Sequence, residues 1–290
     1  GFDGFAIENT LIHDNGIEVG DGIFVGNTSS AQMKNLTIRG NEIYNHPIKG
    51  PCLVGGENIL IEDNYFWGTT DSDGIGVAIA NAADQTTSNV EVRNNVFAMA
   101  PFYPGLIRIV SSGGPGASIT DVRINTNTIV STKSHFVVDM WNGNSDVPDP
   151  ITNVTFANNV LVAESGQILR AQSANVTGGF SAYNNHYEYN TTVPFYWIDQ
   201  SITMDEWRSM SYDTFTHEQG VDAQLSSDYL PQSSSPLIDA AAELQTFDDD
   251  YRGYLRPGGS DWDIGAFEVG GDQPTASPTR PAPPAGLRVQ

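Results

Sequence analysis

The 290-residue chain has one cysteine, Cys52, and three lysines, Lys34, Lys49 and Lys133. A lone thiol excludes an internal disulfide, so stability cannot depend on an oxidising compartment, and Cys52 reads as a small buried hydrophobe. Thirteen basic residues against 35 acidic ones leave a formal charge of -22, which argues against nucleic acid as a partner. No apolar run reaches the roughly 18 residues of a membrane span, and no charged-then-apolar leader is present. Residues 1–7 already read as the middle of a repeat, so a mature or trimmed fragment is expected. Charged residues make up only 17% of the chain, and Gly, Asn, Ser and Thr abound, a composition of turn-rich β structure with little helix. The 39% hydrophobic content is enough for a sizeable core.

One internal pattern recurs over two thirds of the chain: a short apolar-x-apolar strand, Asn, and another strand. Copies are Ile7-Glu8-Asn9, Ile38-Arg39-Gly40-Asn41, Ile61-Glu62-Asp63-Asn64, Val92-Arg93-Asn94-Asn95, Ile124-Asn125-Thr126-Asn127 and Phe156-Ala157-Asn158-Asn159, with a degenerate copy around Asn185. Marker asparagines at 9, 41, 64, 95, 127, 159 and 185 lie 32, 23, 31, 32, 32 and 26 residues apart, about one solenoid coil each. Asn tolerates the left-handed backbone of a bend between sheets, and stacked Asn amides can hydrogen-bond from coil to coil. A third strand follows in each coil, at 22–25, 52–54, 75–79, 106–109, 136–140 and 168–170.

Three strands per coil and about seven coils predict an all-β solenoid. The pattern resembles the right-handed parallel β-helix repeat family, whose members include pectate-lyase-like and chondroitinase-B-like polysaccharide lyases, epimerases, glycoside hydrolases and phage tailspikes. The solenoid is expected over 1–195 and an irregular C-terminal cap over 196–269. The stretches Ser235-Pro236-Leu237-Ile238-Asp239-Ala240, Asp250-Tyr251-Arg252-Gly253 and Asp263-Ile264-Gly265-Ala266-Phe267-Glu268 are similar to the C-terminal end of secreted bacterial β-helix proteins. Residues 270–284 read as a Pro/Thr/Ser linker, and 285–290 are similar to the opening of a fibronectin type III domain, so further domains are expected.

Consecutive coils place equivalent side chains about 4.8 Å apart, so a site for a linear polymer would consist of outward neighbours on successive third strands. Alternation turns Arg108, Asp139 and Arg170 outward; Lys133 and His135 lie just before the middle strand and Trp141 just beyond its end. In a lyase of uronate-containing polymer, Lys133 or His135 would take the proton beside the carboxylate and an arginine would neutralise that carboxylate, with Arg108 and Asp139 counted in the catalytic group. Arg170, Trp141, His46 and Lys49 would bind substrate. The same Arg, Asp, Arg stripe also reads as a surface ion ladder. Asp71 and Asp73 could hold Ca2+ with backbone carbonyls, or simply form a turn before Gly74. Asp21, Asp73 and Asp139 are candidate hydrolytic carboxylates. Trp67, Phe102 and Tyr103 could stack on sugar rings or pack against the solenoid wall. Glycosylation sequons start at Asn27, Asn35, Asn153, Asn175 and Asn190.

Two functions follow as expectations. One is a secreted or cell-surface polysaccharide lyase, implied by the family resemblance. The other is a non-catalytic solenoid that binds glycans, adheres, or assembles end to end.

Overall fold

The computed structural model describes residues 3–14, 21–26, 33–46, 49–68, 75–81, 85–99, 105–111, 116–133, 136–142, 150–172, 178–214, 219–244 and 246–272. Among these, strands of equivalent position pair in parallel from coil to coil. They build three sheets of eight, seven and eight strands. One coil shows the plan: Gly56–Glu62 in the first sheet, Tyr65–Trp67 in the second and Val77–Asn81 in the third. Apolar side chains from all three sheets meet inside, with Ile61, Phe66, Val77, Ile79, Val92, Phe97 and Ile109 essentially inaccessible. An all-β parallel solenoid with three strands per coil is therefore what the repeat encodes.

The corner between first and second sheets divides its work between two adjacent residues. The left-handed conformation falls on the residue before the laddered asparagine: Gly40, Asp63, Asn94, Thr126, Asn158 and Asn184, with φ between 50° and 64°. The following Asn41, Asn64, Asn95, Asn127, Asn159 and Asn185 point inward. Each Nδ2 donates to the next Oδ1 at 2.9–3.0 Å. Each Oδ1 also accepts the backbone N–H of the preceding rung, as from Asn95 to Asn127 at 3.0 Å. The marker expected at Asn9 belongs to the left-handed column (φ 52°); the ladder position on that coil is Thr10, whose N–H donates to Asn41. Splitting the roles is physically sensible, since one side chain cannot both turn outward at a left-handed bend and fill a buried rung.

A second left-handed column runs down the first sheet at Asn35, Asn58, Asn89, Asp121 and Asn153. It is exposed and linked by amide contacts such as Asn58 to Asn35 at 3.1 Å and Asn89 to Asn58 at 2.7 Å. Two of the sequon asparagines, Asn35 and Asn153, therefore belong to the solenoid wall.

The chain after the last full coil does two things. Phe195–Trp197 extends the third sheet, Gln200–Ile202 pairs with it antiparallel, and helix Met204–Ser209 lays Trp207 across the core end. Trp207 stacks on Phe195 at 4.5 Å and meets Phe180 and Trp197 edge-on, so apolar rings seal what would otherwise be an open core. A reciprocal Thr203–Glu206 capping box starts the helix. Residues 219–272 then turn back and lie along the outer face of the second sheet, away from the solenoid end. Leu237, Trp262 and Ile264 cover Val130, Val160 and Val162, while Tyr251, Ala266 and Phe267 cover Tyr65, Val96 and Ala98. This lateral strap is needed because the second strands are apolar on both faces. It docks at Gly265 (φ 100°), where a β-carbon would sit 2.8 Å from Thr128 Oγ1 and Val160 Cγ2.

Candidate functional site

On the outer face of the third sheet the register aligns Ala78, Arg108, Asp139, Arg170 and Tyr196 in one column. Asp139 is fully buried, whereas Arg108 and Arg170 keep about a fifth of their side chains exposed, 21% and 20%. Arg170 donates through Nε to Oδ1 at 2.6 Å and through Nη2 to Oδ2 at 2.9 Å; Arg108 Nε donates to Oδ2 at 3.0 Å. Each guanidinium also lies over an aromatic ring, Arg108 over Trp141 at 5.3 Å and Arg170 over Phe136 at 4.6 Å. Gly105 (φ 88°) closes over the carboxylate side chain, its absent β-carbon only 2.8 Å from Asp139 Cβ.

This geometry separates the expected roles. Asp139 has both oxygens engaged and no access to solvent, so it cannot take a proton from a polymer in the groove; it positions the two arginines instead. Lys133 is exposed in the turn between strands Thr128–Ser131 and Phe136–Asn142. His46, expected to face substrate, is instead buried, with its ring against Gly22, where a β-carbon would lie 2.7 Å from Nε2. Burial holds its imidazole below the usual range, because the charged form loses hydration there. Lys49 begins a third-sheet strand, Lys49–Val54, and its side chain lies outside the described residues, as do His135, Asp71, Asp73, Phe102 and Tyr103. Among the described residues no group of three or more His, Cys, Asp or Glu side chains could hold a metal ion. Trp67 joins a column of stacked rings, 4.0 Å from Tyr44, which in turn lies 4.9 Å from His13, and it donates to Glu42 at 2.8 Å.

A second polar constellation escaped the sequence reading. Glu8, Arg39, Glu62 and Arg93 follow one another on four successive coils of the first sheet. Glu62 is nearly inaccessible and held from both sides, by Arg39 and by Arg93, whose Nε reaches it at 2.7 Å. Arg93 also covers the Phe247 ring at 4.5 Å. Between this row and strap residues 246–249 lies a cleft of about 510 Å³. The signal was available: the residue just before each left-handed corner reads Glu, Arg, Glu, Arg in consecutive repeats.

Comparison with known families adds one match. The family described as right handed beta helix region matches residues 2–206. No curated protein matches the chain.

Proposed function

We propose a function from one premise: the chain belongs to the right-handed β-helix family. On that premise it is read as an extracellular carbohydrate-active protein whose third sheet receives an acidic polysaccharide on its outer face. The observation that carries this is the pair Arg108 and Arg170, fixed on either side of Asp139. Two coils separate them, roughly 10 Å at the usual strand spacing. Two guanidinium groups around one carboxylate leave a local positive charge in a chain of net charge -22, and partly buried Trp141 and Tyr196 lie beside them. Pinned donors with little rotamer freedom left suit carboxylates repeated along a polymer.

β-Elimination belongs to the same proposal, as do its closer likeness to polysaccharide lyases and a calcium ion at Asp71 and Asp73. Lys133 or His135 would remove the proton beside the uronate carboxylate, an arginine would stabilise the resulting charge, and the glycosidic oxygen would depart with a proton from solvent. The complete engagement of Asp139 favours the other reading, a non-catalytic glycan-binding or adhesive solenoid in which the ladder also stabilises the sheet.

The test incubates uronate polymers with the wild-type protein, with Lys133→Ala and with Arg108→Gln/Arg170→Gln, with and without calcium. Binding and the ultraviolet absorbance of an unsaturated product are both followed. Binding lost in the arginine variant supports the face. Absorbance lost in Lys133→Ala supports the lyase, and binding without absorbance supports the non-catalytic reading. No binding to any uronate polymer would sink the proposal.

A further inference from the structure

Among the described residues, the strands of the first coil, Asp3–Glu8, Leu11–His13 and Asp21–Gly26, each end a sheet. Each pairs with one neighbour of the second coil, Met33–Arg39, Glu42–Tyr44 and Lys49–Val54. Phe5, Leu11 and Phe24 remain more than half exposed. A solenoid coil is held by its neighbours alone, so closure of this coil rests on a single interface. His46 sits in that interface. It follows the strand Glu42–Tyr44, is 2% exposed, and neither of its ring nitrogens makes a well-formed hydrogen bond. Gly22 of the first coil lies directly against it: a β-carbon there would meet Nε2, Cε1 and Cδ2 at 2.7, 2.9 and 3.0 Å. An uncharged imidazole suits such a site, since a buried cation loses its hydration. Asp14, the carboxylate that acts on this ring, is already engaged, one oxygen by Asn45 at 3.0 Å and the other by His13 at 2.8 Å. Asp14 and the Ile12 carbonyl favour the charged ring and His13 opposes it, but lost hydration outweighs them and holds the imidazole below its ordinary range. Asp21 and Lys49, the charged residues that begin the two paired third-sheet strands, stand opposite each other in register.

We infer that His46 is an acid-operated latch on the first coil: with its ring neutral, Gly22 and the strand Asp21–Gly26 close on it, and with its ring charged the first coil parts from the second while later coils stay folded. The open coil takes up the proton more readily than the closed one. Closure is therefore undiminished above pH 6.5, the ordinary value of the ring, and weakens as pH falls below it. Opening bares the three strand edges of the second coil, and with them Leu36, Ile38 and Ile43, the register partners of Phe5, Ile7 and Ile12.

The experiment follows amide hydrogen exchange of the full chain at about pH 7.5 and about pH 5, on either side of the histidine range and corrected for intrinsic rates. Protection of Asp3–Glu8 and Asp21–Gly26 should fall at least about tenfold at the lower pH, while Ser118–Asn125 and Phe136–Asn142 keep theirs. His46→Gln and His46→Phe should make first-coil protection independent of pH. His13→Gln, which removes the exposed neighbouring imidazole, should retain the fall. The ring protons of wild-type His46, followed by nuclear magnetic resonance, should titrate below pH 6.5 and over the same range as the opening. That titration decides the matter if a His46 variant leaves the first coil open at both pH values: a midpoint that tracks opening in the wild type supports the latch. A first coil equally protected at both pH values, equal loss of protection in every coil, a fall that survives in the His46 variants, or a ring that titrates at or above pH 6.5 overturns it.

Discussion

Asp139 and Arg170 meet across neighbouring strands through paired hydrogen bonds of 2.6 and 2.9 Å, with the carboxylate wholly buried. Removing one partner of such a pair leaves the other charge poorly solvated. Asp139→Asn keeps the shape but loses the anion that both Arg108 and Arg170 share. It is expected to destabilise the solenoid by about 3 kcal/mol, at the low end for a buried pair because both arginines reach water. Urea denaturation of the two proteins at the same pH measures this, and a change below the noise would remove Asp139 as the organising charge.

The inner asparagine ladder makes a second prediction. Asn127 Nδ2 donates to Val92 O, Asn125 O and Asn159 Oδ1, and its Oδ1 accepts from Asn95. Truncating Asn127 to Ala leaves buried donors and acceptors unmatched on three coils. A loss of at least about 2 kcal/mol is expected, with the fastest gain in amide exchange at the N–H of Asn95.

Thr126 is a β-branched residue at φ 50° in a column otherwise occupied by Asn, Asp and Gly. Its hydroxyl donates to Asn94 Oδ1 at 2.9 Å, which offsets part of the strain. Thr126→Asn places the residue type used at the two flanking coils' later and earlier corners, Asn94 and Asn158. It should raise stability by about 1 kcal/mol, read as an upward shift in the melting midpoint.

At the sealed end, Tyr187 donates to Asp213 at 2.5 Å and Trp207 Nε1 donates at 3.3 Å. Burial nevertheless pushes the Asp213 carboxyl up from 3.8 to about 6, because desolvation of the anion outweighs those bonds. With the folded value above the unfolded one, the native state holds the extra proton between the two. The stabilisation tied to that proton is full below about pH 4 and lost as pH rises through about 6, a change of about 3 kcal/mol. Stability of wild type minus Asp213→Asn, measured across this window, should fall by that amount and stay flat above it.

Gly265 tests the strap. Gly265→Val would drive side-chain atoms into Thr128 and Val160 at a residue with φ 100°. Cleavage by a protease within 219–272 should accelerate at least tenfold while strands of the first and third sheets stay protected. Equal acceleration throughout would mean that strap and solenoid unfold as one unit.

The coil length, the three strands and the stacked asparagines were legible because a solenoid repeats one local solution, and each copy states the same period of alternation and turn. The outward stripe Arg108, Asp139, Arg170 was equally legible, since register between equal coils follows from spacing. Even the strap left a trace: Tyr65-Phe66-Trp67, Val96-Phe97-Ala98 and Val160-Leu161-Val162 are apolar without alternation, the mark of strands covered on both faces. What only tertiary structure decided is which segment covers them and how far each polar group is from water. Asp139 and Glu62 look like ordinary surface charges in sequence; loops and long arginine side chains close over them. Glu8 and Asp248 are 240 residues apart in sequence and come to line one cleft because the strap folds back along the solenoid. Local periodicity encodes which way a side chain points, whereas its solvation depends on chain segments that share no pattern with it.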